Sequence, residues 1–544
     1  IVIVGRAYNA FERGMNLRIP EKLKTLGVMA IPMDMLPLED CAIVEEWPNM
    51  YWRSGQRMLR AARFIADHDM LYPLVIGSFS CGPDSFILKY LKDELRGKPF
   101  LHIEIDEHSA DAGVITRCEA FLDSIENRRN AIVETQPGKR SATIPSLKNL
   151  RVYFPPISDH ARAVAAAFER CGVDTEMLPE SDRESVEIGM KHVSGKECYP
   201  CAITTGDMLR KALSPDFDPS RSAFFMPSGS GPCRFGQYNV FHRKVLESVG
   251  LPDVLVFAPN QDDGLFDALK TVRSDLALHA WKGIVAVDLL TKCLHESRPY
   301  ERQKGSADEL YRHHLQRLVN SIGGRNGRLK DALSAMRMDF ANLPRTGERR
   351  PLIGILGELY VRNNRFSNED IVRKVEKLGG EVLLSTFGEW IFYIHTMSIR
   401  RCMLRREFPA ASKDALKRYF TRKIEKRYAR PFRGHLRTLH EPSVKQLLRM
   451  SAPYIPDTFE GEAVLSIGKS LDLARGGASG IISTIPFGCM PGTIVAGVMQ
   501  AVRRECEIPF ITLVYDGTES SAHEMQLEAF MDQARAKEAR SFAC

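Results

Sequence analysis

Short apolar runs alternate along this chain with segments whose apolar residues fall at helical spacing, and the alternation starts at the first residue. Ile1–Gly5 reads as a strand, Leu17–Leu26 as a helix closed by Gly27, and Val28–Met33 as a second strand. A helix over Gly55–Ala66 follows, then a strand over Tyr72–Ile76, a loop through Cys81-Gly82-Pro83-Asp84, a helix over Ser85–Leu95 and a strand over Phe100–Ile105. The pattern returns as strand Arg151–Phe154, helix Ala161–Cys171 and strand Asp174–Leu178. It continues with a helix from the Cys198/Cys201 turn through Leu213, strand Ala223–Pro227, helix Val240–Val249 and strand Val254–Ala258. Strands separated by helices predict parallel sheets, with functional loops at the carboxyl ends of the strands. The expected fold is α/β: repeated Rossmann-like parallel-sheet subdomains with helical insertions.

A third round reveals an internal repeat. Strand Leu352–Leu356, helix Asn368–Leu378 and strand Glu381–Leu384 mirror residues 1–33, and strand Gly480–Ile485, the Cys489 turn, a helix and strand Pro509–Tyr515 mirror residues 72–105. Glu119-Ala120-Phe121-Leu122-Asp123 matches Glu528-Ala529-Phe530-Met531-Asp532. A match in fixed order over more than 100 residues outweighs any single motif. The domains expected are 1–135, 145–300, a helical connector or lid at 301–349, and 350–544 with a basic helical insertion at 395–450. The middle and last segments read as two halves of one unit. The first, which mirrors the last, reads as the second half of an incomplete unit.

At 544 residues, 44% hydrophobic and 26% charged, the chain has the composition of a soluble multidomain protein. Residues 476–500 carry no charge and are long enough to span a bilayer, but Pro486, Pro491 and six glycines interrupt them. A strand, a turn and a helix are expected there, with no membrane span. The net charge of +7 is concentrated in residues 400–449, where 16 lysines and arginines face 4 acidic residues. No nucleic-acid motif accompanies this block, so nucleic acid ranks below a solvated insertion or a docking face for an acidic partner.

Twelve cysteines in a long chain, without paired spacings, favour reduced thiols and metal ligands in the cytoplasm over disulfides. Cys198, Cys201 and Cys233 lie in Gly/Pro-rich turns before helices, and Cys81 and Cys489 occupy matching turns after apolar strands. Thiolates at turns that open helices suit an iron–sulfur cluster or zinc. Only Cys198 and Cys201 have knuckle spacing, which favours the cluster; Cys201 is the weakest of the set. Cys41, Cys118, Cys171, Cys293, Cys402, Cys506 and Cys544 lack the turn context. A polar site around His102, Glu104 and Asp106 is weighed equally with a strand-end hydrogen-bond network.

The motifs Gly5-Arg6-x-Tyr8-Asn9, Cys81-Gly82-Pro83-Asp84-Ser85, Asp106-Glu107-His108, Gly195-Lys196-Glu197-Cys198-Tyr199-Pro200-Cys201 and Gly231-Pro232-Cys233-Arg234-Phe235-Gly236-Gln237-Tyr238 resemble a known family. They are similar to the C-terminal part of acyl-CoA dehydratase activase-related proteins, and so to 2-hydroxyacyl-CoA dehydratase components, benzoyl-CoA reductase subunits and double-cubane cluster proteins. The resemblance implies a [4Fe–4S] or double-cubane iron–sulfur cluster, no nucleotide on this chain, and electrons from an ATPase activase outside it. It further implies a small-molecule or acyl-CoA substrate and allows a homodimer. Cys198, Cys233 and Cys489 are its preferred ligands, with Cys81 as the equivalent in the first segment. A regulatory or scaffold module with a structural zinc or iron–sulfur site is the alternative.

Overall fold

A computed structural model describes residues 1–43, 46–129, 146–262, 265–347, 349–518 and 521–543. The expected boundary between 135 and 145, and Cys544, lie outside them. The chain is α/β, with three four-stranded, wholly parallel sheets. Their strands are β1 (Val2–Gly5), β2 (Ile31–Pro32), β3 (Pro73–Ser78) and β4 (Leu101–Ile105); β5 (Arg151–Phe154), β6 (Asp174–Met177), β7 (Ser222–Phe225) and β8 (Leu255–Phe257); and β9 (Leu352–Gly357), β10 (Glu381–Leu384), β11 (Gly480–Pro486) and β12 (Phe510–Tyr515). Each sheet runs second, first, third, fourth. The repeat legible in the sequence is thus a repeat of topology, and it extends to the middle segment.

The chain divides into two compact units, residues 1–144 with 193–197, and residues 145–192 with 198–544. In the first, Ile3, Leu74, Ile76 and Ile103 bury one face of the sheet against Ile19, Leu23 and Cys118. The strand expected over Val28–Met33 shrinks to Ile31–Pro32, because Pro32 has no N–H to continue the ladder and Met33 enters a 3₁₀ turn.

The second unit carries the other two sheets. Phe154, Phe168 and Ala223 fill the core beside β5–β8. The β9–β12 sheet is packed on both faces. Ile353 and Ile482 lie in a core with Tyr199 and Ile203, whereas Ile481 and Leu356 lie in a core with Ile467 and Met499. Residues 476–500 form β11, a turn and most of the helix Met490–Cys506, and among the described residues no helix is long and apolar enough to cross a membrane.

A helical core joins this unit together. The helix Leu276–His295 is apolar on nearly every side and packs against Ser306–Ile322, Leu329–Asn342 and Phe387–Leu404. The segment at 301–349 therefore contributes Leu318, Leu333, Met336 and Phe340 to the interior. In the basic insertion, the helix Phe408–Ala429 buries Ala429 in that core and leaves Leu416, Tyr419 and Phe420 exposed.

Candidate functional site

The carboxyl ends of the strands in the second unit carry the candidate site. Cys198 caps the helix Tyr199–Ala212, Cys233 caps the 3₁₀ turn Arg234–Gln237, and Cys489 caps the helix Met490–Cys506. Each cap is extended, so the chain arrives straight and turns into the helix at the sulfur-bearing residue. Pro200 and Pro491 at the start of two of these helices fix that turn without wasting a backbone donor. The helix bearing Cys198 is held by backbone contact. A β-carbon on Gly206 would lie 1.7 Å from the Ser185 carbonyl oxygen, and one on Gly189 would lie 1.9 Å from that of Ala202. Only glycine permits the helices Arg183–Met190 and Tyr199–Ala212 to lie this close.

The three thiols fall within one electrostatic neighbourhood. Burial first, then Cys198, Cys233 and two carboxyls, push the Cys489 thiol well above its ordinary range. Burial, Glu462 and Cys198 do the same to Cys233. Burial raises Cys198 too, opposed by the Arg234 guanidinium and by hydrogen bonds from Tyr238 and Arg234. Arg234 is 5% exposed and donates through Nη2 to the Gly488 carbonyl at 2.7 Å. The Gly492 N–H points at Cys489 Sγ over 3.4 Å.

Two carboxyls complete the wall. Glu358 follows β9, and its oxygens accept from the N–H groups of Tyr360 and Val361 at 3.1 and 2.8 Å. Glu462 begins the helix Glu462–Arg475 and accepts from the Leu359 N–H at 2.8 Å. Burial raises both carboxyls beside the thiols, and Glu358 further disfavours charge on Glu462.

Cys201 lies one helical turn further in, fully buried, with its N–H bonded to the Cys198 carbonyl at 2.8 Å. The phenol of Tyr238 lies within its electrostatic reach. Cys81 belongs to the first unit. Arg6 Nη1 lies 3.2 Å from its sulfur and 2.7 Å from Asp84 Oδ2. Arg6 follows β1 as Glu358 follows β9, so the repeat places a guanidinium beside Cys81 and a buried carboxyl near Cys489. In the same unit Glu104 pairs with Lys196, and His102 Nε2 is buried without a hydrogen-bond partner among the described residues. Asp106 turns back onto Ser109 and the His108 N–H. Cys118, Cys171 and Cys293 are core residues.

Glu462 was invisible to the motif reading, because a lone acid at a helix start carries no signal of its own. Glu358 could have been found by aligning the repeat at Gly5-Arg6 and Gly357-Glu358.

Among the described residues no three His, Cys, Asp or Glu side chains come close enough to hold one metal ion. Thiols at the starts of helices and turns are the donor type that an iron–sulfur cluster or a zinc ion would take. Arg234 beside the thiols and Arg362 beside the two carboxyls are the buried cations that act on the site. No protein-family model matches the chain, and no curated protein matches it at significant similarity.

Proposed function

We propose that the second unit binds an iron–sulfur cluster through Cys198, Cys233 and Cys489 and acts as the electron-accepting component of an ATP-driven reductase or dehydratase. The observation that carries this reading is the approach of the buried thiols of Cys198 and Cys489 and the half-buried thiol of Cys233, from three separate loops, with the buried Arg234 guanidinium beside them. When bound, such a cluster supplies one-electron chemistry at low potential. The chain's residues direct the Gly492 N–H and the Arg234 charge at sulfur, and burial raises the Glu358 and Glu462 carboxyls beside it. With three ligands, one iron stays open to a small molecule, an acyl-CoA in the reading by resemblance. The electron donor is an ATPase activase supplied from outside the described residues.

Cysteine variants test this reading. Cys198→Ala, Cys233→Ala and Cys489→Ala should each lose most of the iron and acid-labile sulfide of the anaerobically prepared protein. Cys81→Ala should keep both, because Cys81 lies against Arg6 and Asp84. Equal iron in all four variants would defeat the assignment.

A further inference from the structure

Ser158 opens the helix Asp159–Arg170 beyond the carboxyl end of β5, yet its side chain makes no cap hydrogen bond to that helix. A serine in this position ordinarily accepts from the first helical N–H groups. Here Oγ stands instead 3.2 Å from His160 Nδ1. The other ring nitrogen, Nε2, lies 3.0 Å from Asp288 Oδ1 on the helix Leu276–His295. Ser158 is half-buried and His160 is 6% exposed, so the hydroxyl sits at the margin of the interior and the imidazole within it.

The acid behind the imidazole is itself held in place. Asp288 accepts from the N–H groups of Phe387 at 3.0 Å and Gly388 at 2.9 Å, where the helix Phe387–Leu404 begins. A β-carbon on Gly388 would lie 2.9 Å from Asp288 Oδ2, so a larger residue would crowd the carboxylate. The Phe387 ring stacks on the imidazole, with centroids 5.0 Å apart. A carboxylate offers only acceptors, so Nε2 carries the imidazole proton and Nδ1 presents its lone pair to the Ser158 hydroxyl. A hydroxyl bonded to an imidazole whose far nitrogen is oriented by a carboxylate is the arrangement that activates serine. Capping a helix requires neither the imidazole nor the acid behind it.

We propose that Ser158, His160 and Asp288 form an acyl-transfer site that hydrolyses small activated acyl compounds, esters or thioesters. Ser158 is the nucleophile, His160 the base, and Asp288 a positioning residue. In the first step Ser158 Oγ bonds the acyl carbon while its proton passes to His160 Nδ1, and the leaving oxygen or sulfur departs with that proton. In the second, water attacks the acyl-serine, its proton passes through Nδ1 to Ser158 Oγ, and the acid is released. One acyl compound and one water give one acid and one alcohol or thiol, with no change of oxidation state. The helix that Ser158 opens directs its first N–H groups to this same end, where the oxyanion would form. This site stands whether or not Cys198, Cys233 and Cys489 hold a cluster.

The test treats the full chain with a fluorophosphonate probe and maps the adduct by mass spectrometry. The adduct should fall on Ser158. Ser158→Ala leaves the His160–Asp288 pair in place, so it should keep the thermal midpoint and lose the adduct. No adduct on wild type, or equal labelling of Ser158→Ala, would overturn the site. Hydrolysis of p-nitrophenyl acetate and of S-phenyl thioacetate should both fall about tenfold or more in Ser158→Ala. A fall with one substrate alone assigns the site to that acyl class, and equal rates with both would overturn it. Asp288→Asn should label Ser158 about tenfold or more slowly, with the acid limb of the pH profile displaced. Unaltered labelling and an unmoved profile would overturn the role given to Asp288.

Discussion

Arg234 and Gly488 are 254 residues apart, yet the guanidinium donates to the glycine carbonyl at 2.7 Å. Each adjoins a cysteine, Cys233 and Cys489, so this bond closes the thiol pocket between two sheets of the second unit. Burial opposes the charge on Arg234, and the thiols, Cys198 first, sustain it.

Arg234→Ala should therefore act on the site more than on the fold. It removes the donor to the carbonyl of the exposed Gly488, a bond worth about 1 kcal/mol, and strips the site of the Arg234 charge. Iron retained after desalting should fall severalfold, and Arg234→Lys should restore part of it, a lysine offering charge without the planar fork. Iron retention in Arg234→Ala equal to wild type would show the residue to be mere packing.

Gly206→Ala tests how the Cys198 helix is positioned. The new methyl would meet the Ser185 carbonyl oxygen at 1.7 Å, a backbone clash that no rotamer relieves. Destabilisation of more than about 3 kcal/mol is expected, with faster labelling of Cys198 by a thiol reagent below the unfolding temperature. Unchanged thermal stability would contradict the close approach of the two helices.

Asp207 gives a pH dependence remote from the thiols. Burial raises its carboxyl to about 7, with Ser185 and Ser181 opposing, and Ser181 Oγ donates to Oδ2 at 2.8 Å. A folded pKa above the unfolded one means the folded state keeps a proton that the unfolded chain releases. This stabilising contribution is full below the ordinary carboxylate range and is lost as pH rises towards about 7. Wild type should lose stability relative to Asp207→Asn between pH 5 and 8, by on the order of 1–3 kcal/mol. Parallel denaturation midpoints for the two proteins across that range would refute this.

The strands were largely legible in the sequence. Arg151–Phe154 and Glu381–Leu384 have the expected bounds, because each is a short run of strand-forming residues closed by a turn. The helix Leu276–His295 left no periodic signature, being buried on nearly every side and so apolar all round. The repeat was legible in two segments and real in three, since strand order survives where side-chain identity does not. Of the site, the cysteines were visible from their turns. The contacts that join them were not, for Arg234, Glu358 and Glu462 meet only once separate strands and helices are assembled.

The most direct measurement is iron, acid-labile sulfide and zinc analysis of anaerobically purified protein, with EPR of the dithionite-reduced sample. About four irons per chain with matching sulfide, and an EPR signal that disappears in Cys489→Ala, are the results expected. Zinc without sulfide, or a signal indifferent to Cys489, would contradict an iron–sulfur centre in this pocket.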